Sequence, residues 1–281
     1  MINRRRAFTL VELLVVIAII GVLVSLAAPA VQTMRESSRR AACQSRLTLI
    51  GMAIQGYHDR WLQYPVGTVA ESGPIESVAV GDHHNWIGRL LDLLDQPVIA
   101  SHIDRSVSVY DDANAPVMQL SYAGVRCPSS DPDPENASSY VGLHHPIEKP
   151  IDEADFGVFV LNRAIHRDDV SDGLSNTAFV AEKPPTYDDL GWLSGTRATI
   201  RNVGGGIIES GDPFAKARPS VVGSIGSRHP AGVHFLMGSG ETRFTSNQTD
   251  QRILEQMADR RDGQLPGLFQ SLESRRRESL R

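Results

Sequence analysis

Residues 4–29 read RRRAFTLVELLVVIAIIGVLVSLAAP, and the disposition of the whole chain depends on them. Arg4, Arg5 and Arg6 come first. Residues 8–28 then carry a single charge, Glu12. A helix of that length is about 30 Å long, the thickness of a bilayer's hydrocarbon core. An isolated span in lipid satisfies its backbone hydrogen bonds only as a helix. The arginines set the N-terminus on the cytoplasmic side and leave the chain after residue 30 or so outside. Glu12 is the anomaly, because a carboxylate at the bilayer centre costs roughly 2.5–3.5 kcal/mol and less near the interface. It calls for a partner or a role, the alternative being a snorkelling or protonated side chain. A secretory signal has a shorter apolar region, about 7–15 residues, before a small-residue exit site. Here Pro29 directly follows Ala27-Ala28, so the span reads as a retained anchor.

The chain has 281 residues, 41% hydrophobic and 22% charged, so the part beyond the anchor suffices for one sizeable domain or two small ones. A net charge of −5 excludes a nucleic-acid binder by composition. Gly and Pro, 24 and 16, stay in the ordinary range and argue against wholesale disorder. The two cysteines, Cys43 and Cys127, permit one disulfide in an oxidising compartment, with two buried free thiols as the alternative.

Proline lacks a backbone donor, so a kink or break is expected at Pro29. Beyond it, residues 31–61 read as helix: Cys43, Leu47, Ile50, Ile54, Tyr57 and Trp61 form one apolar stripe. Arg35, Arg39, Arg40, Gln44 and Arg46 lie off it. Cys43 heads the stripe, which directs its sulfur toward the domain beyond the stem and favours a bridge to Cys127. Closing a loop of about 84 residues is worth roughly 4–5 kcal/mol in the chain-entropy account. Further on, the pattern predicts a strand at 76–80, a short amphipathic helix at 86–94, and strands at 139–142, 156–161, 177–182 and 198–208. Residues 233–237 and 241–245 flank Gly238-Ser239-Gly240, a hairpin signal. Residues 249–260 form an amphipathic helix with Ile253, Leu254 and Met257 inward. The charged tail, 271–281, reads as mobile.

Chemistry-bearing constellations are sparse. The adjacent pairs His83-His84 and His144-His145 are read as hydrogen-bonded loop histidines, and the helical zinc-protease spacing is missing. Asp168, Asp169 and Asp172 are a weak calcium candidate, set against an Asx-type turn built by Asp172 and Asn176. Gly204-Gly205-Gly206 has no following Lys-Ser or Lys-Thr, so it is no phosphate loop. With no triad, dyad or metal set evident, the expectation is a protein that is not an enzyme and has no cofactor beyond that calcium candidate.

Two resemblances add to this reading. The order basic, small residue, Phe, Thr, Leu, Val, Glu, apolar run resembles the class III signal of type IV prepilins and type II secretion pseudopilins. It implies cleavage between Ala7 and Phe8 by a prepilin peptidase that methylates the new Phe8 amine. It implies also that Glu12 pairs with the terminal amine of a neighbouring subunit. The family usually has Gly before the cut, and Ala7 departs from that. In the rest of the chain, CQSRLTLIGMAIQGYHD (43–59), CPSSDP (127–132), SYVG (139–142), DVSDGLSNTAFVAE (169–182) and SRHPAGVHFLMGSGETRF (227–244) resemble the planctomycete-type prepilin-like family. That family's C-terminal signature is His, nine residues, then Asp-Gly. Here His229 is followed by Ser239-Gly240, so Ser stands for Asp, and His229 is expected to brace the hairpin.

The expectation is therefore an α+β protein: a long N-terminal helix, half anchor and half amphipathic stem, on a mostly antiparallel sheet with irregular loops. Its parts are a cytoplasmic leader (1–7), an assembly helix (8–28), a stem (29–63), an extracytoplasmic head (64–265) and a charged tail (266–281). The placement is inner membrane, single pass, head in the periplasm or cell exterior. The partners are the prepilin peptidase/methyltransferase, membrane lipid and identical or related pilin-like subunits, with no nucleic acid. The competing expectation is a tethered binding module for a glycan or other envelope component that never polymerises.

Overall fold

A single helix of 52 residues, α1 (Leu10–Trp61), opens the computed structural model, which describes residues 10–130, 134–184, 189–208 and 218–264. It runs through Pro29 uninterrupted, without the break that was one of the two expected outcomes there. Proline removes one rung of the ladder, and the turns on both sides keep theirs. Leu10 to Met34 lie exposed on every face, a length of helix apolar enough to cross a membrane and none of it buried in the protein. From Cys43 the helix changes character. Cys43, Leu47, Ile50, Ile54 and Tyr57 are buried, as the stripe predicts, and Ala53 is buried beside them. Trp61 is the exception at 44% exposure, because the helix ends there and its ring stacks back on Tyr57.

Four short helical segments come next: α2 (Trp86–Leu90), continued as a tighter 3₁₀ turn over Leu91–Leu94, then α3 (Pro97–Ser101) and α4 (Ala115–Met118). Asn85 caps α2, its side chain accepting from Gly88 N at 3.0 Å. The strands are β1 (Tyr140–His145), β2 (Ala178–Glu182), β3 (Ile200–Asn202), β4 (Gly232–Met237) and β5 (Thr242–Ser246). They form one sheet in the order β3-β1-β2-β4-β5, parallel between β1 and β3 and antiparallel elsewhere. Helix α5 (Gln251–Ala258) closes the described chain, with Leu254 and Met257 buried and Ile253 partly so.

Every residue of β1, β2 and β4 is buried, so both faces of the sheet are covered. Alternation along each strand sorts the side chains. Tyr140, Val180 and Leu236 join the stem stripe in one apolar cluster. Val141, Leu143, Phe235 and Met237 join Leu254 and Met257 of α5 in a second. Gly51 lets the stem approach closely: a Cβ there would lie 2.8 Å from Leu236 Cδ1. Nearby, Gln55 Nε2 donates to Gly238 O at 2.7 Å. The stem therefore lies directly on the β4–β5 hairpin.

Two expected strands are absent. Residues 76–80 form no ladder, and only Ile75 beside them bridges to Ile151. Residues 156–161 are ordered and mostly buried but not a strand. Val158 N and Phe159 N both donate to Leu143 O, at 3.0 and 3.1 Å, and Gly157 N donates to His144 O. Two donors on one carbonyl break the ladder register, which apolar alternation alone does not reveal.

The stem interface yields a paired test. Leu47 is fully buried and Leu49, two residues on, is 51% exposed. Leu47→Ala is expected to lower head stability by about 2–5 kcal/mol, and Leu49→Ala by under about 0.5 kcal/mol. Urea unfolding followed by tryptophan fluorescence measures both.

Candidate functional site: the clasp between stem and head

Cys43 and Cys127 form a disulfide, with Cα atoms 5.4 Å apart. It joins the start of the stem's buried stripe to the turn after residues 123–125, across 84 residues of chain. Cys127 N is held by Ser139 Oγ at 2.9 Å, and Tyr140 OH donates to Cys43 O at 3.3 Å. Burial, and then the Glu182 charge, raise the Tyr140 phenol above its ordinary value, so it serves as a neutral donor.

His229 packs beside the disulfide. Its Nδ1 lies 2.6 Å from Glu36 Oε1 of the stem, and Ser129 Oγ stands 3.3 Å from the same nitrogen. Its Nε2 lies 3.2 Å from Cys127 Sγ and 3.6 Å from Glu182 Oε1. Glu182 closes β2, and both its oxygens engage β4: His234 N donates to Oε2 at 2.9 Å, and His234 Nδ1 is 3.2 Å from Oε1. Arg40 completes the outer side. Its Nε is 3.9 Å from Glu36 Oε1, its NH2 donates to Pro230 O, and its guanidinium lies over Phe244, 4.4 Å from the ring centroid. One buried imidazole thus sits between a stem carboxylate, a head carboxylate and the staple.

This corrects the expectation for His229. It stands three residues before β4, while Ser239 and Gly240 form the turn after it. A six-residue strand separates the two by about 20 Å. Ser239 N donates instead to Leu174 O at 2.9 Å, and Gly240 takes φ of +87°, as a tight turn needs. An Asp at 239 would be no nearer to His229, so the signature marks the two ends of one strand. His229 braces the stem against the head and also packs edge-on against His234 of the hairpin's first strand, ring centroids 5.6 Å apart, but does not reach the hairpin tip.

The calcium candidates do not converge. Asp169 accepts from His166 N at 2.9 Å. Asp172 accepts from Asp262 N and Gly263 N, ninety residues away, at 2.7 and 3.0 Å. Asp168 is exposed. The expected local Asx turn is instead a tie between the 172–176 turn and the segment after α5, with Asn176 Nδ2 donating to Asp172 O. His83, His84, His144 and His145 all find hydrogen-bond partners, His144 with the buried Asp155 at 2.7 Å. The last two lie on β1, not in a loop. Ala7 and Phe8 fall outside the described residues. Glu12 lies in the first turn of α1, within its exposed apolar length.

Sequence reasoning missed Glu36 and Glu182. Glu36 was legible: it precedes Cys43 by seven residues, two helical turns, and so extends the buried stripe. Arg40, four residues after Glu36, shares that face, and only its charge sets it apart from the stripe. Glu182 carried no signal, since a Glu at the end of a strand pattern is ordinarily solvated.

A family model described as "Protein of unknown function (DUF1559)" matches residues 32–252. The chain belongs to that family. A second model, the prokaryotic N-terminal methylation motif, matches residues 2–28. No curated protein and no solved structure matches the chain. The family match begins within the stem and ends in α5, so it covers most of the stem together with the sheet. The methylation motif implies processing by a prepilin peptidase. Together with the exposed apolar helix it marks a type IV pilin-like, membrane-anchored protein with a soluble head.

Glu36 and His229 are expected to be energetically coupled. A double-mutant cycle of Glu36→Gln and His229→Gln, read by urea unfolding with the disulfide intact, is expected to give an interaction of about 0.5–3 kcal/mol.

Proposed function

We propose that this chain is a pilin-like or pseudopilin-like structural subunit, cut between Ala7 and Phe8, methylated on the Phe8 amine and held in the inner membrane by the apolar half of α1. Its head faces the periplasm or cell exterior, and it acts by assembly and not by catalysis. The observation that carries this reading is the methylation motif at residues 2–28 on a helix that continues unbroken into a buried stem. A helix both anchored in lipid and stapled to a head at Cys43 transmits position from membrane to head. The carboxylate of Glu12, five residues into the processed chain, is of the sign needed to meet a subunit's terminal amine.

Intact mass of membrane-extracted protein tests the processing. The expected species lacks residues 1–7, gains one methyl group and is lighter by two hydrogens for the disulfide. A chain that keeps Met1 sinks the proposal.

A second reading is a tethered binding module that never polymerises. It is favoured by a groove of about 490 Å³ beside the stem, lined by Leu49, Met52, Leu93, Leu94 and Tyr122 among others. Glu12→Ala separates the two. In membranes treated with a cysteine-independent crosslinker, the subunit reading expects wild-type homomeric adducts that the variant loses. Equal adducts, or none in either, favour the tethered module.

A further inference from the structure

Anchoring does not account for the chemistry around the staple. Cys43 Sγ, Cys127 Sγ, a Glu182 oxygen and a His229 ring nitrogen lie within 4.8 Å of one another, and all four residues are buried. A disulfide needs neither an imidazole nor carboxylates beside it, and burying such groups is costly unless they are paired.

The arrangement is that of a ligand set with its supporting shell. His229 Nε2 points inward, 3.2 Å from Cys127 Sγ and 3.6 Å from Glu182 Oε1. Around a tetrahedral zinc ion with bonds of about 2.0–2.3 Å, neighbouring ligand atoms stand roughly 3.3–3.8 Å apart. His229 Nδ1 points outward to Glu36 Oε1 at 2.6 Å. A proton held on Nδ1 by that carboxylate leaves the Nε2 lone pair facing the sulfurs, the orientation metal-binding histidines have. Glu182 is oriented likewise, its Oε2 accepting from His234 N.

We propose that reduction of Cys43–Cys127 turns this clasp into a four-coordinate site for a zinc-class divalent cation. Cys43, Cys127, His229 and Glu182 are the ligands, and Glu36 is the residue that positions His229. The step balances with a dithiol as reductant. Its two thiols are oxidised to their own disulfide, while the protein's sulfur–sulfur bond takes up two electrons and two protons. The cation then displaces those two protons and binds two thiolates, which with Glu182 supply three negative charges against its two positive ones. Open depressions flank the cluster. Cys127 lines one of about 340 Å³ with Arg46 and Arg126. Glu36 and Arg40 line another, of about 440 Å³, on the imidazole's Nδ1 side. Of the two, only the first is lined by one of the four ligand residues, Cys127. Stem and head stay joined in either state, by a covalent bond when oxidised and by a metal when reduced.

Cobalt(II) titration of the full chain in detergent micelles, reduced with a phosphine under argon, tests this. One Co²⁺ per chain is expected, with near-ultraviolet sulfur-to-cobalt charge-transfer bands and the visible bands of four-coordinate cobalt. Zn²⁺ should displace it, and the oxidised chain should show neither set of bands. Glu36→Gln is expected to keep both bands and to weaken cobalt binding about 10–100-fold, a change that a purely structural contact would not give in a folded chain. His229→Gln should weaken binding by at least as much. Circular dichroism and re-formation of the disulfide in air establish that each variant folds, and the wild-type titration decides the matter should a variant not fold. The proposal is overturned if the folded, reduced wild type binds no cobalt, if its spectrum lacks the sulfur bands, or if folded His229→Gln binds as tightly as wild type.

Discussion

The apolar stripe on the second half of α1, lying against one face of the sheet, is the contact on which the rest of the molecule depends. Leu47, Ile50, Ile54 and Tyr57 share one buried apolar cluster with Leu236, Val180 and Tyr140 of the sheet and with Trp86, Leu90 and Leu91 beside it. The stem is thus one layer of the head's core. The same helix continues without interruption from the exposed apolar segment into that core. Membrane attachment and folding of the head are thereby linked through one continuous element.

The polar clasp sits at the upper edge of this contact. Where the stripe gives out above Cys43, Glu36 and Arg40 continue the same helical face with charged groups, and the head answers with His229, Glu182, Ser129 and Phe244. Apolar packing is non-directional and tolerates a slip along the helix. Hydrogen bonds at 2.6–3.2 Å and a covalent bridge do not. The stripe therefore supplies most of the attraction, and the clasp fixes the register of stem on head. A metal-linked form would hold the same register, because its ligands come from the same stem and head positions.

Much of this was legible in residue order. The heptad-like spacing of the stem, the Gly-Ser-Gly hairpin and the cysteine at the head of the stripe all depend on neighbours within a few turns. What misled were long-range effects on locally ordinary residues. Residues 156–161 look like a strand and are held off the ladder because two of their amides share Leu143 O. Asp172 looks like the centre of a local turn and binds the backbone after α5. His229 looks tied to Ser239 by a fixed spacing, yet the spacing is the length of a strand plus its turn.

The sequence by itself determined that one helix would be apolar enough for a membrane and then amphipathic, since periodicity and length are properties of the chain alone. It determined also that Cys43 would face the head, because helical geometry fixes the side of each residue relative to its neighbours. Only the tertiary structure decided that Glu36, Cys127, Glu182 and His229 would meet. Those four come from the stem, a loop, the end of β2 and the approach to β4. Their meeting depends on strand order, which places β2 beside β4 across fifty residues of intervening chain. That order comes from how the whole core closes, and no local pattern carries it.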